Sequence, residues 1–207
     1  MNLTDSISDH FTFKEFFRSV TAKKYGIDNF PYIKEATIKA NLQELVLEVL
    51  EPLRILFKRP IYVTSGYRCA ELNRLIGGSK KSQHLEGKAA DITTLDKLGN
   101  MVLVILLLCG FRTGELYDFL DEELGDDGMP LKDKLDFLEF DQLILERKTR
   151  DVLDYAWLHV SYNRGKNRRE VLDCYQGKYR LLDSSDLELR LRMIAEFTRQ
   201  EYIKRYI

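Results

Sequence analysis

Residues 63–92 read VTSGYRCAELNRLIGGSKKSQHLEGKAADI. Val63-Thr64-Ser65 continues Ile61-Tyr62 as a short β-branched strand, which Gly66 closes. Cys69 to Ile76 predicts a short helix that the loop Gly77-Gly78-Ser79 ends. Ser82 to Ile92 then sets small residues between polar ones, as S-x-H-x-x-G-x-A-x-D. His84 and Asp91 stand seven residues apart in it. Gly87 permits a sharp turn between them, and Ala89 and Ala90 permit close backbone packing. An imidazole nitrogen and a carboxylate oxygen can therefore converge on one ion at about 2.0–2.2 Å.

Outward from this stretch the periodicity is easy to follow. HFTFKEFFRSVTAKK (residues 10–24) predicts one helix beginning near Phe13, with Thr12 as its cap. Lys34 to Arg59 predicts a long amphipathic helix with Leu42, Leu45, Val46, Val49, Leu50, Leu53 and Leu56 on one face. Pro52 either bends it or breaks it, and Pro60 marks its end. Asp96 to Gly110 predicts a buried helix around MVLVILLLC, nine residues where a membrane span needs about twenty. FDQLILE (140–146) and YAWLHVSY (155–162) predict a two-stranded hairpin.

Beyond Asn163 the chain is basic (NRGKNRRE), a stretch expected to be a solvated loop. A hairpin turning at Gln176-Gly177 and an amphipathic helix from Ser185 to Ile207 follow it. Helices first, then short strands mixed with helices, predict an α+β fold: a small mixed or antiparallel sheet flanked by helices. The expected organisation is a core domain over residues 1–165 and a carboxy-terminal appendage over 166–207. Glu115 to Asp141 holds eleven acidic and two basic residues, so a solvated acidic insertion is expected at about 113–139.

The whole chain has 207 residues, and 32 basic side chains balance 33 acidic ones. A net charge of −1 argues against a general nucleic-acid binder. A chain this long buries roughly 70% of its unfolded surface, so it needs neither disulfides nor metal merely to fold. Cys69, Cys109 and Cys174 are odd in number and form no C-x-x-C pair, as expected of reduced thiols. MNLTDSISDHFTFKEF has no basic region followed by an apolar one, so the expectation is no signal peptide, a cytoplasmic product and no membrane insertion.

Only three histidines are present: His10, His84 and His159. His10 belongs to the first helix motif and is read as structural. His159 lies in Trp157-Leu158-His159-Val160-Ser161, on a strand between large apolar residues. Two histidines and one carboxylate leave the fourth tetrahedral position of zinc open, the pattern of a catalytic site. Zinc there acts as a Lewis acid and brings the pKa of water toward 7. A carboxylate must then carry the proton to the leaving amine, and Arg68, at the end of Thr64-Ser65-Gly66-Tyr67-Arg68, could stabilise the oxyanion.

On these motifs the chain resembles the zinc D-alanyl-D-alanine carboxypeptidase family of murein peptidases, related to vancomycin-resistance dipeptidases and phage cell-wall endopeptidases. The stretches that carry the resemblance are HFTFKEFFRS, NLQELVLEVLEPLR, residues 63–92, FDQLILE and WLHVSY, from about residue 10 to 162. The resemblance implies that His84, Asp91 and His159 hold zinc in a cleft on the sheet. It implies that Arg68 contacts the substrate and stabilises the transition state, with Ser65, Ser82 and Gln83 shaping the cleft. The implied partner is a peptidoglycan stem peptide, cut as a carboxypeptidase or a murein endopeptidase, and release by a phage-type lysis system would suit it.

Many relatives carry an acid three positions before the last histidine, where this chain has Ala156. Glu146, at the end of FDQLILE, and Asp154 are the candidates for the proton carrier. Asp154 lies an odd number of residues from His159, so a regular strand points it to the other face. Glu146 can share the His159 face if the two strands pair. The missing acid also keeps a rival in view, a non-catalytic cell-wall-binding or structural phage module on the same scaffold.

Overall fold

The structure is a computed structural model that describes residues 5–109 and 138–206. Among these, six strands form one mixed sheet: β1 (Tyr62–Ser65), β2 (Ala89–Thr93), β3 (Gln142–Arg147), β4 (Tyr155–Ser161), β5 (Glu170–Tyr175) and β6 (Lys178–Leu181). Their order is β1-β2-β4-β3-β5-β6, antiparallel except for the parallel pair β3–β5. With helices against one face, this is the α+β arrangement expected from the sequence.

Strand alternation decides which face is which. Ala90, Ile92, Leu143, Leu145, Leu158, Val160 and Val171 are buried on the inner face. They face α6 (Lys97–Cys109), which also touches α4 (Glu51–Phe57) and α7 (Ser184–Tyr206). Met101 and Leu103 to Cys109 are all buried, which is why the segment reads as apolar on every side rather than amphipathic. Among the described residues no helix is long and apolar enough to cross a membrane.

The amino-terminal helices brace the β1 side. The single helix expected from Phe13 is instead two, α1 (Phe13–Phe17) and α2 (Val20–Tyr25). Arg18 is extended, and the Ser19 side chain accepts from the Ala22 N–H, so a local cap replaces continued helix. The long helix is present as α3 (Glu35–Leu45), a π turn (Val46–Leu50) and α4. Pro52 has no N–H for the carbonyl of Glu48, and the wider turn takes up the mismatch. A short helix α5 (Ala70–Leu75) follows β1, with Cys69 at its cap.

The segment 166–207 supplies β5, β6 and α7. Gln176 and Gly177 both have positive φ (52° and 73°), the type I′ geometry that a tight right-twisted hairpin needs. β5 lies beside β3, so this hairpin and the preceding strands share one sheet. Buried Arg190 of α7 bonds Asp173 of β5, the Tyr155 hydroxyl and the Val152 carbonyl. Most of the acidic stretch lies outside the described residues. Asp141, expected in that solvated stretch, is instead 1% exposed.

Candidate metal centre

Asp91 of β2 is the direct cross-strand partner of His159 of β4. Both therefore project from the sheet face opposite the helical core. His84 joins them from a 3-10 turn, Gln83–Glu86, that precedes β2. Asp91 Oδ1 lies 3.0 Å from His159 Nδ1 and 3.2 Å from His84 Nε2, and the two imidazole nitrogens are 3.0 Å apart. Among the described residues these three form a group able to hold a metal ion. Ligands at about 2.1 Å around a tetrahedral ion stand about 3.4 Å from one another, so the triangle needs only slight widening to accept one.

The histidine on the 3-10 turn is held from behind. His84 Nδ1–H donates to the carbonyl of Gly66 at 2.6 Å, which leaves Nε2 facing the centre with its lone pair. Gly66 in turn lies against α1: a Cβ there would meet the Phe16 carbonyl oxygen at 2.5 Å. Gly87 ends the turn at φ 68°, and a Cβ there would meet Ile38 of α3 at 2.9 Å. Asn41 of α3 donates to the Glu86 carbonyl at 2.7 Å. The amino-terminal motifs thus act on the site through the backbone of the loops that carry it.

Electrostatics suit a cation. Burial works to raise the Asp91 carboxyl, but the two imidazoles, by charge and hydrogen bonding, outweigh it and hold the group well below the usual carboxylate range. Burial lowers His159, so at neutral pH its imidazole is the neutral form that ligates metal. Burial also lowers Arg68, against the pull of Asp91. Its Nε is buried without a hydrogen-bond partner, and Nη2 lies 3.5 Å from Ser82 Oγ.

The centre opens into a cleft of about 860 Å³ on the sheet's outer face. Arg68, Ser82, Gln83 and Glu146 all line this cleft. Glu146 pairs with Trp157, two residues from His159, so it shares the His159 face. Ser65 is opposite Asp91 on β1 but does not line the cleft, and Asp154 sits outside it, in the β3–β4 turn. Ala156 is the extra residue of a bulge facing Glu146 and Arg147. Its carbonyl accepts from Thr93 Oγ1, so the backbone here is tied to the core side.

One residue of this region escapes sequence reasoning. The Asp141 carboxylate accepts from Gln83 Nε2 at 2.7 Å and from Arg168 through its backbone N–H, Nε and Nη2 at 2.8–2.9 Å. It clasps the basic loop to the 3-10 turn of His84. Asp141 is the D of FDQLILE, inside the expected strand and also the last acid of the acidic stretch, and sequence alone does not tell which of the two governs it.

A model of the peptidase M15 family matches residues 9–116, just over half the chain, and the protein belongs to that family. Arg68, His84 and Asp91 fall inside the match, and Glu146 and His159 outside it. No curated protein matches the chain. Membership points to a hydrolase of the metallopeptidase kind, and the His84–Asp91–His159 group is compatible with its metal.

Proposed function

We propose that this protein is a zinc-dependent peptidase that hydrolyses peptide bonds of peptidoglycan stem peptides, as a D-Ala-D-Ala carboxypeptidase or murein endopeptidase. The observation that carries the reading is the convergence of two imidazole nitrogens and one carboxylate oxygen within 3.0–3.2 Å on the floor of a cleft. His84, Asp91 and His159 would hold the zinc, and the donor set, two nitrogens and one oxygen, fits it. When bound, zinc supplies Lewis acidity that polarises a carbonyl and lowers the pKa of water.

The chain's own side chains supply the rest. Glu146 stands on the cleft face, where its carboxylate oxygen takes a proton from water and returns it to the leaving amine. Arg68 lines the cleft, where its guanidinium donates to the oxygen on which negative charge develops. Ser82 and Gln83, at the start of the 3-10 turn, line the cleft.

The test is zinc content together with digestion of purified peptidoglycan by wild type and Glu146→Gln. Expected are zinc bound in equal amount by both proteins, new amines released by wild type, and a loss of at least about 10²-fold in Glu146→Gln. A zinc-loaded wild type that releases no amine from several wall types replaces this reading with a non-catalytic wall-binding module. Equal activity in the two proteins overturns the role given to Glu146 alone.

A further inference from the structure

The cleft has a far wall that the family match does not reach. One step along the sheet from the Asp91–His159 pair, the registers align Trp157 on β4, Glu146 on β3, Cys174 on β5 and Tyr179 on β6 in one row. Directly opposed residues share a face, so the whole row belongs to the cleft side. Trp157, Glu146 and Tyr179 line the cleft, while Cys174 is buried beneath them. The two rings at the ends of the row are open to solvent, Trp157 at 40% and Tyr179 at 58%. Cys174 is the direct cross-strand neighbour of both Glu146 and Tyr179.

We propose that Tyr179 is a substrate-binding residue of this site. Its ring forms the far wall, and its hydroxyl donates a hydrogen bond to a backbone carbonyl of the bound peptide. The proposal rests on the peptide-substrate reading above. Its chemistry follows from the surroundings. Partial burial of the hydroxyl, with the neighbouring Glu146 and Cys174, pushes the phenol up to about 12, so Tyr179 is a neutral O–H donor over the working pH range. Its cross-strand neighbour on the cleft side is Cys174, whose thiol sulfur is only a weak acceptor. A peptide carbonyl oxygen is a better acceptor than that sulfur, so a bound peptide gives the hydroxyl the stronger partner.

Distance gives the specificity. β6 is three strand spacings from β4, about 14 Å at 4.7–4.9 Å each. An extended dipeptide spans only about 7 Å, so one seated at the centre covers about half the backbone-to-backbone distance to β6. A longer stem peptide running across the strands reaches it. Tyr179 therefore selects for the length of the peptide rather than for the residues at the scissile bond.

The experiment compares wild type, Tyr179→Phe and Tyr179→Ala, all zinc-loaded, on an acyl-D-Ala-D-Ala dipeptide and a stem pentapeptide. Calorimetric Kd values for the pentapeptide are measured in the Glu146→Gln background. Expected for Tyr179→Phe is a KM and a Kd about tenfold higher for the pentapeptide, kcat within twofold, and unchanged dipeptide kinetics. Tyr179→Ala exceeds that loss. Wild-type behaviour of both variants on the pentapeptide overturns the proposal, as does an equal loss on both substrates, which marks a structural role. A wild type that binds the pentapeptide without cutting it fails the peptidase reading alone, and Tyr179 is then decided by Kd. A wild type that neither binds nor cuts it overturns both.

Discussion

The carbonyl of Gly66 holds His84 by a 2.6 Å hydrogen bond to Nδ1, and Gly66 itself is pressed against the backbone of Phe16. A methyl group at this position has nowhere to go, because the nearest atoms belong to main chain rather than to a flexible side chain. Gly66→Ala is expected to displace either α1 or the carbonyl. Loss of an orienting partner typically weakens metal affinity 10–100-fold. A zinc competition assay beside a urea unfolding curve checks it, with affinity falling by that factor and stability falling as well.

Zinc binding to the native state alone should raise its stability. With free zinc at about 100 times Kd the gain is about 2.7 kcal/mol. Differential scanning calorimetry of wild type with and without a chelator should show that gap. Asp91→Asn and His84→Ala should show none, because each removes one corner of the 3.0–3.2 Å triangle.

Asp141 gives a pH dependence of known sign. Burial raises its carboxyl, but the hydrogen bonds from Arg168 and Gln83 prevail and lower it below the ordinary value. The unfolded chain titrates near about 3.9. A group depressed on folding adds stability that is fully present above the unfolded pKa and is lost as pH falls through the folded one. Asp141→Asn should therefore cost about 2 kcal/mol at pH 7, as charge-assisted hydrogen bonds do. The gap to wild type should begin to narrow below about pH 4 and close only as pH falls through the lower folded value. Urea titrations from pH 7 to pH 3 measure it.

Arg190 ties α7 to the sheet, sharing the buried Asp173 carboxylate with Arg147. Arg190→Ala leaves that carboxylate half-paired and is expected to cost about 3 kcal/mol. A double-mutant cycle with Asp173→Asn should return a coupling energy well above 0.5 kcal/mol, about the limit expected of independent sites.

How much of this was legible in the sequence depended on whether the information was local. The period-two pattern of FDQLILE and YAWLHVSY placed Glu146 on the His159 face, and the register puts it opposite Trp157. The spacing of His84, Gly87 and Asp91 announced a turn and a convergence, and the three donors do meet. Two features stayed hidden because they depend on distant partners. Asp141 looked like one more solvated acid, since what buries it is Arg168 in another loop. The parallel pairing of β5 with β3 has no local signature, so Tyr179 read as part of an appendage rather than as a wall of the cleft. The break at Arg18 is local, but the Ser19 cap that makes it competes with a helical pattern that runs through it.

Asp91 and His159 touch across the sheet although 68 residues separate them along the chain. The intervening chain is a closed loop whose two ends are pinned by β2–β4 pairing and would be pinned again by a shared ion. The entropy of closing such a loop grows only logarithmically with its length, about 0.6 kcal/mol for each doubling. A shared ion would therefore act as a cross-link between two segments far apart in sequence, at a closing cost that depends only weakly on the 68 positions between them.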